Sequence, residues 1–430
     1  MKKSVEHFEN KQSEKEETSF VRSAKCSIKF SNACKIENVK TLTEEYGKVL
    51  NGFIVMLWDL RETKIPSLIP KEITDKVKEN TWLSARMIQC AAKQASGVVR
   101  GTLTKQNKRI KKYESLRKQN LMKNARKLYR KIQDVNSSCP IVNNVSMELD
   151  SRFISINLEN NTVFDMWVNI TSIGNGMKIT IPVKKTKHFN KMFGQGKMKC
   201  GIRLNNKDIT FMFEIEKPEL KTNGNTIGVD IGVKSVFACS NGQISTVDKH
   251  GWDLDKIHNL FTFKKKGSKQ YKKVQELRKN YINWCLNQLN LKDVKSLRAE
   301  NIKNLRFGKR TSSKLSRFVY TLFFDKLKRM CEENGVHFLQ IDPTYTSQRC
   351  KCGWVQKSNR KGKLFKCRSC GYTADSDLHA STNIGLELPE IPKEVRRKQL
   401  NRRGFYWLAE GQEPIVPDAL KVTFGGLVEK

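Results

Sequence analysis

Long hydrophobic runs are missing from this sequence. The longest wholly apolar stretch in its 430 residues is Phe53 to Trp58, against the roughly 20 residues a membrane-crossing helix needs, so no membrane partner is expected. The opening segment, Met1 to Glu17, mixes lysine and glutamate without an apolar core; it does not read as a signal peptide, and a cytoplasmic location is expected. No Gly-rich loop is followed by Lys-Ser/Thr, which removes support for P-loop ATP hydrolysis. An internal repeat and a helix-turn-helix signal are also missing. Acidic residues are the other shortage: 43 Asp and Glu stand against 81 Lys and Arg, a net charge of +38. Residues 1–19 hold four lysines against five glutamates and residues 387–430 eight bases against seven acids, so the excess lies on the body between them. Its natural partner is a polyanion, with nucleic acid the leading choice.

What is present is a folded, multidomain chain. Apolar residues at 38%, with 21 Phe and 7 Trp, supply a core that a disordered chain would lack, and the length suits about three domains. Residues 1–19 read as a mobile arm. Residues 20–35 begin with a short strand. Over 36–137 the apolar period is helical: Met87, Ala91 and Ala95 recur every four residues beside Ile88 and Ala92. Lys105 to Lys131 then carries twelve bases and one acid, Glu114. Lys105, Lys108, Arg109, Lys111, Lys112, Arg117 and Lys118 are its candidate phosphate contacts, the bland reading being a solvated helix face. Over 138–222 the period falls to two, as in Ile179, Ile181, Val183 and Ile209, Phe211, Phe213, Ile215. That indicates an antiparallel sheet or small barrel, with the helical block inserted between its two parts. From 223 strands alternate with helices, the mark of an α/β domain. Residues 391–430 form a tail containing Gly404-Phe405-Tyr406-Trp407, whose aromatics are not expected to stay exposed.

Twelve cysteines divide into two populations. Eight are scattered and read as small buried hydrophobes. Four cluster as Cys350, Cys352, Cys367 and Cys370, with Gly353 and Gly371 permitting tight turns after each pair. Four thiolates in two knuckles match a structural Zn²⁺ site, and residues 346–373 read as a zinc ribbon; the alternative is four free thiols on a hairpin. A disulfide framework is not expected in a cytosolic chain of this size.

Three carboxylates stand apart from the other acids. Asp230 ends a short apolar strand in Gly228-Val229-Asp230-Ile231-Gly232, where an Asp is commonly just a turn residue. Glu300 lies in Leu297-Arg298-Ala299-Glu300-Asn301, and Asp377 follows Cys370 by seven residues. Three converging carboxylates can hold two Mg²⁺ ions for phosphodiester cleavage, but spacing alone does not select these three from 43.

A family resemblance singles them out. Gly228 to Lys234, Ala299 to Leu305, Ile341 to Cys350 and Asp375 to Ile384 together resemble the RuvC-like nuclease domain of the transposon-encoded TnpB proteins and of the miniature type V CRISPR effectors related to them. The resemblance is detailed over 223–386, architectural over 20–222 and absent from the tail. It implies an α+β multidomain fold: a wedge-like N-terminal β-barrel (20–35 and 138–222) interrupted by a helical recognition lobe (36–137). An RNase H-like RuvC domain would follow (223–345 and 374–390), carrying the inserted zinc ribbon. It implies an RNA-guided DNA endonuclease whose catalytic, magnesium-binding acids are Asp230, Glu300 and Asp377, with Arg349 and Asn383 in support. It also implies two catalytic Mg²⁺, one structural Zn²⁺, a guide RNA and a target DNA as partners, a monomer or asymmetric homodimer, and a nucleoid-associated place in a prokaryotic cytosol. The rival readings are a non-cutting RNA-guided repressor, a transposase and a zinc-ribbon RNA-binding protein; transposon-borne and CRISPR-associated origins both stay open.

Three departures from the family pattern stand out. One residue, not two, separates Cys350 from Cys352. Lys292 to Arg298 is more polar than the strand expected before Glu300. His379 stands where the family usually has Asn.

Overall fold

A computed structural model describes residues 18–61, 69–136, 138–158, 162–232, 235–302, 319–386, 388–391 and 398–407. Residues 1–17 of the expected N-terminal arm and most of the tail, including Pro414 to Pro417, lie outside the described residues, while Ser19, counted in that arm, already belongs to the first strand. The chain divides into two compact units, Met1–Glu216 and Lys217–Lys430.

The first unit opens with β1 (Ser19–Ser27) and continues into α1 (Ala33–Asp59), α2 (Lys71–Lys78), α3 (Ala85–Lys118) and α4 (Met122–Asn136). Local chemistry sets these starts: the Asn32 carboxamide accepts the Lys35 amide and the Ser84 hydroxyl accepts that of Met87, satisfying otherwise orphaned first-turn donors. The four-residue apolar period becomes one buried face, Met87, Ile88, Ala91, Ala92 and Ala95. Strands β2 (Met147–Leu149), β3 (Ile154–Asn157), β4 (Met166–Ile170) and β5 (Ile179–Val183) follow, then α5 (Lys187–Gln195), β6 (Lys197–Leu204) and β7 (Asp208–Glu216).

β1 pairs antiparallel with β7 along its whole length, from Ser19↔Glu216 to Ser27↔Asp208. The first and last strands of the unit are therefore neighbours, and α1–α4 are inserted between partners in one sheet. The expected barrel is not a closed ring among the described residues. The strands form two open antiparallel sheets, β1-β7-β6-β2 and β3-β4-β5, because β2 pairs with β6 alone and β3 with β4. The scattered cysteines also differ from expectation at four positions: Cys34 and Cys200 are exposed, and Cys90 and Cys139 are only half-buried. Cys200 lies where the β6–β7 register shifts between Met198 and Ile202, and such an irregularity interrupts the in–out alternation.

The second unit contains β8 (Asn225–Asp230), β9 (Ala238–Cys239), α6 (Leu254–Leu260), α7 (Lys269–Asn287), β10 (Val294–Glu300), α8 (Tyr320–Glu333) and β11 (His337–Ile341). These are followed by β12 (Trp354–Val355), β13 (Arg360–Lys361), β14 (Leu364–Lys366), β15 (Thr373–Asp375), α9 (Ser376–Gly385) and β16 (Phe405–Tyr406). The main sheet runs β11-β10-β8-β9; β10 is parallel to both β8 and β11, while β9 is antiparallel to β8. The polar segment before Glu300 is thus an interior strand after all. Val294, Leu297 and Ala299 are buried, Lys295 is exposed, and the Arg298 guanidinium donates to the Gly385 carbonyl oxygen (3.2 Å), which compensates a cation inside a sheet. The start of the second motif's loop, from Lys303, lies outside the described residues.

Gly228 determines how closely α9 approaches β8. A Cβ there would overlap the Ser381 carbonyl oxygen and the Gly385 nitrogen, both helix backbone that cannot give way. Gly228→Ala is expected to cost at least about 2 kcal/mol through overpacking, read as faster hydrogen exchange across residues 376–385. Unchanged exchange would refute this close approach.

Candidate metal sites of the C-terminal unit

Register places the first two acids. Val229 is paired with Ala299 in adjacent parallel strands, so the next residue of each, Asp230 and Glu300, leaves the carboxyl edge of the sheet side by side. On the far side Glu300 is paired with Ile341, and Asp342 follows. Ligands of open α/β sheets gather at this edge, where neighbouring strands continue in opposite directions. The third acid arrives on α9, which lies along β8. Asp375 is the N-cap, its carboxylate accepting the Asp377 and Leu378 amides (2.9 and 3.1 Å). Asp377 follows two residues later, close enough for its charge to act on Asp230, although among the described residues only the four cysteines, and not these acids, gather as a group of metal-ligand atoms.

Burial dominates the electrostatics of the first two acids. Burial pushes the Asp230 carboxyl up to about 6, helped by the negative charge of Asp377 and opposed by Arg360 and Lys363. Burial likewise pushes Glu300 up to about 7; the Thr346 hydroxyl bond opposes the rise, and the charges of Asp230 and Asp342 add to it. Two cations answer the acids. Arg360 donates to Asp377 Oδ1 (3.2 Å), and the Lys363 ammonium forms a close ion pair with Oδ2 while reaching Ser235 Oγ (3.4 Å). Both come from the β13–β14 hairpin. Asp230 and Glu300 thus hold their protons toward neutral pH, while Asp377 is paired with two cations.

The two supporting residues lie elsewhere in the architecture. Arg349 is buried, and its guanidinium donates to the carbonyl oxygens of Pro389 (3.1 Å) and Trp407 (2.8 Å); burial pulls it down to about 10. It therefore ties loops together, and the arginine beside the acids is Arg360. Asn383 gives its amide hydrogens to the carbonyl oxygens of Thr346 (2.8 Å) and Arg349 (2.7 Å). It acts on Glu300 through Thr346, whose hydroxyl donates to Oε1. His379 lies flat on Phe365, ring centroids 3.6 Å apart, with Nε2 on the Arg349 carbonyl oxygen (2.7 Å); burial holds its pKa down. The histidine in place of Asn thus joins α9 to the cysteine hairpin. Sequence reading missed Thr346, Asp342, Arg360 and Lys363 as site residues. The first two sit inside the quoted Ile341–Cys350 motif, and the last two lie in the basic stretch between the cysteine pairs.

The four clustered cysteines do converge. Their sulfurs all lie within 4.8 Å of one another, with Cys350–Cys370 at 3.6 Å and Cys352–Cys367 at 3.7 Å. A disulfide needs about 2.05 Å. A tetrahedron of thiolates at about 2.3 Å from one ion has edges of about 3.8 Å, so the set fits a single metal ion. Two turns build it: Cys350 N–H donates to the Trp354 carbonyl oxygen and Cys367 N–H to that of Tyr372, both 2.8 Å. The one-residue spacer is accommodated because the first knuckle closes across Gly353, whose N–H donates to Cys350 O (2.9 Å). Hydrogen bonds from the Cys350 and Cys352 thiols drive the Cys367 thiol well below its ordinary range.

The tail supplies the outer wall of this centre. β16 pairs antiparallel with β12, Tyr406 packs on Trp354 with centroids 4.8 Å apart, and its hydroxyl meets that of Ser369 (2.5 Å). Gly404 has φ +103°, and a Cβ there would overlap the Trp354 ring. Gly404→Ala is expected to weaken metal retention by the cysteines roughly tenfold, the size of outer-sphere effects, measured by competition with a chromophoric chelator. Unaltered retention would separate the strap from the centre.

The basic helix belongs to the N-terminal unit. Lys105, Lys108, Lys111, Lys112, Arg117 and Lys118 are exposed on α3 and Arg109 is half-buried. Among the described residues no helix is long and apolar enough to cross a membrane.

Residues 320–384 match the Cas12f1-like TNB domain family. Over part of its length the chain is similar to TnpB-like proteins and to Cas12f1 endodeoxyribonucleases. It is 39% identical over 103 residues to the CRISPR-associated endodeoxyribonuclease Cas12f1 of Sulfoacidibacillus thermotolerans, covering 23% of each chain. It is 29% identical over 132 residues to the TnpB-like protein L79 of Acanthamoeba polyphaga mimivirus, covering 30% of this chain and 24% of that one. The matched segments span about a quarter of the length of these relatives. The fold is similar to that of the mini-RNA-guided endonuclease CRISPR-Cas_phi3, with a TM-score of 0.51 at 10% identity over 87% of this chain and 94% of that one.

Proposed function

We propose that the protein is an RNA-guided DNA endonuclease with a RuvC-like, RNase H-like site, a zinc ribbon at Cys350, Cys352, Cys367 and Cys370, and a wedge and helical lobe in its N-terminal unit. The observation that carries this reading is that Asp230 and Glu300 each follow the paired Val229 and Ala299 at the carboxyl edge of a mixed sheet, with the charge of Asp377 on α9 felt at Asp230. The names of the relatives point the same way: endodeoxyribonuclease and RNA-guided endonuclease.

Asp230, Glu300 and Asp377 would hold two Mg²⁺. Such ions supply an activated water and stabilise the leaving oxygen of a phosphodiester. Thr346 and Asn383 fix Glu300 in place. Arg360 has donors beyond the one used on Asp377, available for the negative charge that grows on phosphate oxygens during cleavage. The +38 surface holds guide and target, whose pairing reads the sequence while the protein reads a short adjacent motif.

The test is guide-loaded protein mixed with a matching plasmid and Mg²⁺. Linear plasmid is expected only with the matching guide. Binding without cutting would replace this reading by that of an RNA-guided repressor, and cutting without guide would remove the guide from it.

A further inference from the structure

The N-terminal unit carries an aromatic–lysine surface that the nuclease reading leaves unused. In the β3-β4-β5 sheet one face is core: Met166, Val168 and Ile170 of β4 are fully buried. The opposite face has a single aromatic, the half-buried Trp167, followed along β4 by Asn169, whose Oδ1 accepts from the Thr180 hydroxyl of β5 (2.9 Å). Phe164 stands edge-on to Trp167 with centroids 5.5 Å apart, and Phe30, from the turn after β1, lies 6.2 Å from Phe164. Phe30 is 38% exposed. Ammonium groups surround the rings: Lys29 and Lys184 lie 5.0 and 5.5 Å from the Phe30 centroid, and Lys35 lies 5.2 Å from Trp167. The acid beside them, Asp165, has its carboxylate on the Lys185 amide (2.7 Å).

A hydrophobic core has no use for three rings edged by lysines at the surface. Nucleobases stack on such rings whatever their identity, and lysines at the ring margins meet the flanking phosphates. We propose that Phe30, Phe164 and Trp167, with Lys29, Lys35 and Lys184, form a stacking site for unpaired RNA bases. Unpaired stretches are required, because a duplex hides its base faces. RNA is favoured over DNA because the same sheet face continues into hydroxyl and carboxamide groups, Thr180, Asn169 and Ser155, the kind that reads a 2′-hydroxyl. A lysine displaced from a ring by a base moves to the adjoining phosphate, so charge and stacking act together.

The proposal rests on RNA being a partner of this chain, not on the chain cutting DNA. The experiment uses the full chain and a labelled oligoadenylate RNA about a dozen nucleotides long, photo-crosslinked and mapped by mass spectrometry, beside anisotropy titrations in varied salt. Adducts are expected on peptides containing Phe30 or Trp167. Phe30→Ala and Trp167→Ala are expected to lower adduct yield there roughly tenfold with the salt dependence unchanged, while Lys184→Ala lowers the salt slope by about one. Trp167→Phe, which keeps a stacking face, should retain the adduct and so exclude misfolding as the cause. Adducts only elsewhere, equal labelling by the deoxy form of the same oligonucleotide, or suppression by polyglutamate as efficient as by unlabelled RNA would overturn it. A protein that crosslinks as expected yet leaves guide-matched plasmid intact would refute the nuclease reading alone.

Discussion

Asp230→Asn and Glu300→Gln will each reduce guide-directed cleavage by at least roughly a hundredfold, the scale set by losing one preorganised electrostatic group, with target binding nearly unchanged. Each will also stabilise the metal-free protein at pH 8. The sign follows from the raised carboxyl groups, about 6 for Asp230 and about 7 for Glu300 against 3.8 and 4.5 in free peptides. Between the unfolded and folded values the native state binds more protons, so stability falls as pH rises through that window. At about 1.36 kcal/mol per pKa unit, each charged acid costs roughly 3 kcal/mol above pH 7. The two costs overlap because the charge of Asp230 raises Glu300. Removing the first charge therefore relieves the second, and the double variant will gain less than the sum. Mg²⁺ will raise the melting temperature of the parent at pH 8, and much less at pH 5, where protons already neutralise the site. The variants will respond weakly at both. A variant retaining a tenth of the parent's cleavage rate, or a parent whose melting is indifferent to Mg²⁺, would end the assignment of these acids to the metal.

Cys367→Ser will release the metal from the cysteine centre and abolish cleavage with it. The coupling is structural. The knuckle turns hold the β13–β14 hairpin, and the hairpin brings Arg360 and Lys363 onto Asp377. Structural thiolate sites contribute their binding energy to folding outright, so hydrogen exchange across residues 350–375 will accelerate while the N-terminal unit is unaffected. Cys367→His, which keeps a zinc-competent ligand, will retain part of the metal. Full metal content in Cys367→Ser by elemental analysis, or intact cleavage after its loss, would contradict this chain of support.

How much was legible beforehand depended on the range of the interaction concerned. The apolar period predicted the buried face of α3, and the two-residue alternation predicted the buried rows Ile179–Val183 and Ile209–Ile215, because each follows from backbone geometry within one element. The segment before Glu300 looked too polar for an interior strand because the partner that compensates Arg298 is the Gly385 carbonyl oxygen, far along the chain. The barrel was an extrapolation from alternation, which specifies faces but not which strands pair.

The sequence by itself determined the knuckle spacing of the four cysteines, the strand-end position of Asp230 and the basic excess, since these are local or additive properties. Only the tertiary structure decided that Asp230 and Glu300 are register neighbours, that Arg360 rather than Arg349 sits with the acids, and that Phe405-Tyr406 closes over Trp354. Each depends on pairing between distant segments, and that pairing is selected by the free energy of the whole packed unit, which no single stretch of sequence encodes.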